Sequence, residues 1–413
     1  MRSISIIGAG PAGLILGIGL VRAGYDVTLY SDRDPEAIRN GFVPSSAGLS
    51  FAGQAVEAEL GLNTWDDRVQ ELEGVHFDVV APGGDLVTTI EGPWHDGPWR
   101  CVDLRLKCVA WMAEFERLGG RVVVREITPD DLERCAADTD LTVVAAGKGK
   151  ISSFFARDDE KCIFAEPQRN ISMVVVKDHP GWVDAVGFAP LHYTKMLDVG
   201  EVICGTFLNT DEEPAVFLIF DAVPGSPMDR FMHVSSNEEQ VEVSKQFVKE
   251  CMPWEWERVK DMRLADPGAA IRGRITPTVR KPVAKLPSGA LLTGIGDTLS
   301  TKDGIGGQGL NSAVKSGHHM LKAILDRGDK AFDAEWIQHT WDEFWNSYEQ
   351  YADVFNNGLM MPVPVHQQKI FAAAAQNPEL ARKLFHCFSH PPSAFPWMVD
   401  PAAAEEVLAQ VER

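Results

Sequence analysis

The chain of 413 residues is 45% hydrophobic and carries 39 Lys and Arg against 59 Asp and Glu, a net charge of −20. That length buries a large core divided into two or three units, and the acidic balance argues against a nucleic-acid partner. Seven cysteines, an odd count with no C-x-x-C pair, indicate neither a disulfide framework nor a zinc knuckle and point to the reducing cytoplasm.

Arg2 precedes an apolar run reaching Val21, but glycines interrupt it and no small-residue cleavage site follows. It is also shorter than the ~20 residues of a membrane span, so it is read as fold and not as signal or anchor. A strand over 4–7 leads into Gly8-Ala9-Gly10-Pro11-Ala12-Gly13 and a helix over 12–23. Strand, glycine turn and helix in this order form the dinucleotide fingerprint. Gly8 makes the turn, Gly10 lets the backbone approach a pyrophosphate, Gly13 lets helix and sheet pack, and the helix amino terminus faces the negative charge. Pro11 and Ala12 belong to the same turn. Gly24 ends the helix, 27–30 is the second strand, and Asp32 beside Arg33 is the candidate acid for an adenosine ribose, one position later than usual.

The turn-rich loop 32–50, with Ser45, Ser46 and Ala47, is a predicted wall of the active cavity, and a short helix follows over 52–60. Segments 75–80 and 86–90 flank Pro82-Gly83-Gly84-Asp85 as a hairpin, on which His76 is either structural or cavity-lining. A helix over 103–118 stops at Gly119-Gly120 before a strand over 121–124, and a buried strand over 141–145 closes at Ala146-Gly147-Lys148. This alternation demands a parallel sheet. Between 171 and 281 the pattern changes to strand-like runs at 172–176, 201–207 and 215–221 with a helix over 238–251, an antiparallel insertion.

A strand over 290–293 then feeds Gly294-Ile295-Gly296-Asp297, and the glycines at 304, 306, 307 and 309 precede a helix over 310–325. Asp297 is placed to accept hydrogen bonds from flavin ribityl hydroxyls. The bare backbone N–H groups around Gly304, Gly307, Gln308, Gly309, Leu310 and Asn311 suit the electron-rich N1 and O2 edge of a reduced flavin, and Gly304 and Ile305 are also candidates for the substrate pocket. Read together, the two glycine-rich stretches hold one FAD. The predicted class is α/β: a discontinuous Rossmann-type FAD-binding domain (1–50, 96–170, 282–333), an inserted, mostly antiparallel β substrate domain (51–95, 171–281) and a helical C-terminal region (334–413). His318, His319 and His366 match no metal spacing, so no metal is predicted.

These runs resemble the oxygenase component of the styrene and indole monooxygenases, two-component flavoproteins related in fold to the p-hydroxybenzoate hydroxylases. The resemblance is carried by 8–13, Tyr30-Ser31-Asp32-Arg33, Val102-Asp103-Leu104-Arg105-Leu106, 143–148, Glu166-Pro167-Gln168-Arg169, 294–297, 307–311 and the region of Pro396-Trp397. It implies an exchangeable FAD with Arg105 near its phosphates or ribityl chain, a homodimer, and FADH2 supplied by a separate NADH:flavin reductase. It further implies reaction with O2 to a C4a-hydroperoxide that epoxidises styrene, indole or a related small aromatic, with no side chain assigned as catalytic. Ala146 stands where single-component hydroxylases carry the aspartate of an Asp-Gly pair, which supports reduction in trans. The alternatives are a self-sufficient NAD(P)H-dependent aromatic hydroxylase, a non-catalytic flavoprotein-fold binding module, and a halogenase, whose tunnel-lysine setting is missing here. Asp303-Gly304 replaces the family's Asp-Pro, predicting a more flexible loop. Serine at 45–46 leans to indole and His76 to styrene, leaving the substrate open.

Overall fold

Five parallel strands and one antiparallel edge strand make the first sheet, in the order Val283–Lys285, Leu291–Gly294, Leu141–Val144, Ser3–Ile7, Asp26–Ser31, Arg121–Val124. The structure is a computed structural model describing residues 2–147, 149 and 151–411, without the side chains of 184 and 185. Lys148 lies outside that set. The central strands are covered on both faces, so they read as unbroken apolar runs such as Val143-Val144, both fully buried. Helix Pro11–Arg22 is buried over 12–20 on all sides, because it lies between this sheet and helix Gln308–Arg327. Glycines on both helices permit that: a Cβ on Gly19 would stand 2.2 Å from Leu321, and one on Gly317 of the second helix would stand 2.5 Å from the Ala12 carbonyl oxygen.

The second sheet runs Arg263–Leu264, Asn170–Lys177, Pro214–Ala222, Gly200–Leu208, Pro190–Met196, Gly74–Val80, Leu86–Pro93, with Ala270–Gly273 also on Asn170–Lys177. Its pairs are antiparallel except Pro190–Met196 with Gly74–Val80. Side chains alternate between its faces. Val75, Phe77, Met173, Val175, Tyr193, Ile203 and Phe217 enter the main core together with Ile305. Val80, Val174, Cys204, Leu218 and Phe220 pack with Val241 and Phe247 of helix Asn237–Cys251 in a separate core.

Several elements go beyond those expected, and two of them show why. Strand Pro190–Met196 is buried on both faces and so shows no alternation. Helix Pro129–Asp138 starts with Thr128 and Asp131 in a capping box and Pro129 in its first turn, a signal present in the sequence. The helix expected from 310 begins at Gln308, which puts Gln308 and Gly309 in its first turn. Among the described residues no helix is long and apolar enough to cross a membrane.

Candidate active site

Strands Ser3–Ile7, Leu141–Val144 and Leu291–Gly294 contribute neighbouring carboxyl ends to the first sheet, the place where open α/β sheets bind ligands. The turns that follow them touch one another. Gly8 has φ +121°, and a Cβ on it would stand 2.5 Å from the Ala145 oxygen; one on Gly13 would stand 2.1 Å from the Gly8 oxygen. Packing alone therefore demands glycine at both. Gly10 is different: at φ −81° and ψ 178° any residue fits, and beyond its chain neighbours no described atom lies within 4 Å of its Cβ position. The room in front of this helix end is the room a pyrophosphate needs, so the residues fit FAD here.

Gly296, at φ +57°, places its Cβ position 3.1 Å from the Ala12 side chain, and Gly147, at φ +66°, comes within 3.3 Å of Asp297. Hydrogen bonds fix this contact: Gly296 N donates to Ser316 Oγ at 2.9 Å and Gly147 N to Thr298 Oγ1 at 3.3 Å. Half-buried Asp297 thus lies at the same crevice as the amino-terminal turn. Asp32 and Arg33 lie exposed at the end of the second strand, 3.6 Å apart.

Arg105 departs from its expected role. Its guanidinium is buried; Nε and Nη2 donate to Asp103, Nη1 and Nη2 to Asp266, and Nη1 also to the Gly41 carbonyl. All its donors are spent inside the protein, so Arg105 holds loop 41 against 266 and has none left for a phosphate.

The second glycine stretch is a short turn, Gly304–Gly306, capped by Asp303, whose Oδ1 accepts from Ile305 N at 3.0 Å. Gly307, at φ +64°, starts helix Gln308–Arg327, whose first turn leaves the N–H groups of Gln308, Gly309 and Leu310 without intrahelical partners. The side chains of Gln308 and Asn311 are committed elsewhere. Gln308 Nε2 donates to the Gly306 and Phe388 carbonyls and its Oε1 accepts from Tyr348 Oη, while Asn311 joins Ser50, Gly48 and Gly307. Gln308 offers a cofactor its backbone N–H, whereas that of Asn311 falls within the helix's own hydrogen-bond ladder.

The flexibility expected of Asp303-Gly304 is opposed by the C-terminal helices. Asn356 Oδ1 accepts from Gly306 N at 3.1 Å and its Nδ2 donates to the Asp303 carbonyl at 3.2 Å. Lys302 forms a fully buried ion pair with Glu349. Asn356→Ala strands both loop groups and should cost about 1–3 kcal/mol of stability in a urea titration; an unchanged midpoint would remove Asn356 from this bracing role.

On the substrate side, Ser45 and Ser46 are half-buried and Ala47 is buried at φ +53°, with Ala47 N donating to Ser45 Oγ at 3.2 Å. The loop continues into strand Gly48–Leu49, paired with Arg100–Cys101. Trp99 lies against both halves of the site, 3.4 Å from the Cβ position of Gly48 and 3.2 Å from that of Gly307. It stacks on Trp94 at 5.0 Å and donates to Ser389 Oγ at 2.8 Å. Neither tryptophan is among the sequence candidates, although Pro93-Trp94 and Pro98-Trp99 flanking a turn were visible.

His76 is corrected as a pocket residue. Val75 and Phe77 face the main core with Ile305, so alternation turns His76 to the other face, where it bonds Asp78 and Glu91 and stacks on His192. Burial opposes its charge, but the hydrogen bonds and charges of Asp78 and Glu91 prevail and raise its pKa. His76, Asp78 and His192 come close enough to suggest a metal site. The two rings, however, are stacked 4.7 Å apart at 15°. A metal about 2 Å from one nitrogen and in its ring plane then lies well out of the plane of the other.

The family model described as the putative substrate binding domain of styrene monooxygenase A matches residues 147–258. Styrene monooxygenase StyA of Pseudomonas fluorescens is 26% identical over 347 residues, covering 82% of this chain and 80% of the relative. StyA of a Pseudomonas sp is 26% identical over 352 residues with the same coverage. Among solved structures, the flavin-dependent brominase Bmp2 superposes with a TM-score of 0.66 at 15% identity, covering 100% of this chain and 99% of that one. PqsL, a probable FAD-dependent monooxygenase from Pseudomonas aeruginosa, gives a TM-score of 0.63 at 15% identity, covering 91% of this chain and 100% of that one. The structural likenesses show the fold, shared with the flavin-dependent brominase and PqsL, and the sequence likenesses are to styrene monooxygenase StyA, at 26% identity.

Proposed function

We propose that this protein is the oxygenase component of a two-component monooxygenase that takes FADH2 from a separate NADH:flavin reductase and epoxidises styrene, indole or a related aromatic alkene. The observation that supports it is the contact of the two glycine turns, where the Cβ position of Gly296 lies 3.1 Å from Ala12 and 3.7 Å from Ala313 of helix Gln308–Arg327. In this reading Gly10 and the helix behind it receive the pyrophosphate, Asp32 the ribose and Asp297 the ribityl chain, and the amides of Gln308, Gly309 and Leu310 face the flavin's electron-rich edge. Bound FADH2 supplies the oxygen activation, since alkene, O2 and FADH2 balance to epoxide, water and FAD. The chain supplies position and dryness: the bracing of 303–308 fixes the amides, and the wall from Ala47 to Trp99 with buried Ile305 excludes water. Ala146 supports reduction elsewhere; the homodimer is proposed from the family resemblance, and the cytoplasmic setting from the seven free cysteines.

The test is to give the purified protein chemically reduced FAD, O2 and either styrene or indole. Styrene oxide or indigo is expected; NADH without a reductase should give neither, and turnover on NADH alone would replace this reading with the self-sufficient hydroxylase. Asp297→Ala should weaken FAD binding at least about tenfold, ~1.4 kcal/mol, in a fluorescence titration. Unchanged affinity would take Asp297 out of the site.

A further inference from the structure

Beneath the 303–308 turn lies a buried polar cluster that the cofactor reading does not use. Glu201 and Asp221 sit opposite each other on strands Gly200–Leu208 and Pro214–Ala222, at 1% and 0% exposure, and Lys195 pairs in register with Glu201 from the other side. Arg169 donates from Nε and Nη2 to the two oxygens of Glu201 at 2.9 and 3.2 Å, and Lys195 Nζ donates to Glu201 Oε1 at 2.6 Å. Their other bonds go to the backbone oxygens of Gln168, Met360 and Leu359. Both cations are therefore spent on one carboxylate.

Asp221 receives nothing from them. Among the described residues neither of its oxygens meets a donor from another group, and the same holds for Asp303 Oδ2 and the Tyr193 hydroxyl. Yet the Asp221 and Asp303 carboxyls lie within hydrogen-bonding reach of each other. Two ionised carboxylates cannot bond, since both are acceptors. The groups facing Asp221 are Arg169, Glu201 and Asp303, with Lys195 on Glu201 and Tyr193 alongside. Two cations thus stand against three carboxyls, and one proton makes the buried cluster neutral. Asp303 already accepts from Ile305 N, which favours its charged form, so the proton belongs on Asp221.

We infer that Asp221 is a protonated acid donating to Asp303, and that this shared proton is a positioning device: it seats Asp303 as the cap of the Gly304–Gly306 turn. Burial raises both carboxyls, with the charges of Asp303 and Glu201 pushing Asp221 further up. The statement that this turn carries a flavin rests on the proposed function; the shared proton does not.

Native Asp221 keeps a proton that the unfolded chain releases above about pH 4, so this stabilisation is complete below that pH and is lost as pH rises toward the folded pKa. Asp221→Asn supplies the same donor without titrating. In thermal melts of the cofactor-free protein from about pH 5 to about pH 9, the melting temperature of D221N relative to wild type should climb with pH. D303N, which dispenses with the proton from the other side, should show the same trend. Parallel wild-type and variant curves would overturn the inference, as would both variants failing to fold at every pH, because the pair would then be holding charge. In a second arm, oxidised FAD is titrated at the same pH values: wild-type affinity should fall on the alkaline side and D221N affinity should not. If FAD binds neither protein while the melting trend appears, the cofactor reading fails and the shared proton stands.

Discussion

Gly10→Ala is expected to leave the cofactor-free fold intact and to remove FAD binding by a factor on the order of 100, ~2.7 kcal/mol. The backbone at Gly10 is extended, and beyond its chain neighbours no described atom lies within 4 Å of the added methyl group. Alanine gains from a less flexible unfolded chain and loses as a helix cap, so stability should change by less than about 1 kcal/mol. The methyl group instead enters the space through which the helix end reaches a phosphate, where each charge-assisted hydrogen bond lost is worth about 1.5–3 kcal/mol. Gly13→Ala is the contrasting case: its methyl group would meet the Gly8 carbonyl oxygen at 2.1 Å, so it should lower the melting temperature with or without FAD. Melting curves and flavin fluorescence titrations of the two variants separate the effects. Wild-type FAD affinity in G10A would mean that no pyrophosphate lies there.

Lys302→Met is expected to destabilise the protein by about 3–5 kcal/mol, the cost of leaving one member of a buried pair alone. The Lys302 and Glu349 side chains are 0% and 1% exposed, and Lys302 Nζ also donates to Ser300 Oγ at 2.9 Å. Burial already lifts neighbouring Asp353 to about 6, against the lowering effect of Lys302. Without the lysine the Asp353 carboxyl rises further. Groups whose folded pKa is raised give full stability below their unfolded pKa and lose it as pH rises. The K302M deficit should therefore be larger at about pH 8 than at about pH 5. K302M/E349L, with both charges gone, should recover most of the loss. Urea titrations measure this, and equal stability of the single and double variants would show that the pair does not hold the loop to the C-terminal helices.

The amino-terminal turn was legible because its requirements are local: a turn at Gly8, a helix start at Pro11 and a close approach at Gly13 involve residues adjacent in the chain. Asp297 and the helix start near 308 were legible for the same reason. Arg105 was conspicuous as a residue, but its role depends on Asp266, which the fold brings to it from the second sheet. His76 illustrates another limit. Alternation told which neighbours share its face, and only the packing above the sheet told which face meets Ile305. Trp99, Asn356 and the Asp221–Asp303 pair join distant segments, so no spacing rule marks them. Strand Pro190–Met196, with His192, Thr194 and Lys195 all buried, looks polar until Trp182, Glu201 and the neighbouring strands are placed around it.

The most direct test of the central claim, that both glycine-rich stretches hold one flavin, is a titration of the purified wild-type protein with FAD followed by absorbance and fluorescence. A saturable spectral change reaching one FAD per chain is the expected result; a flavin spectrum that stays that of free FAD at every protein concentration would contradict it.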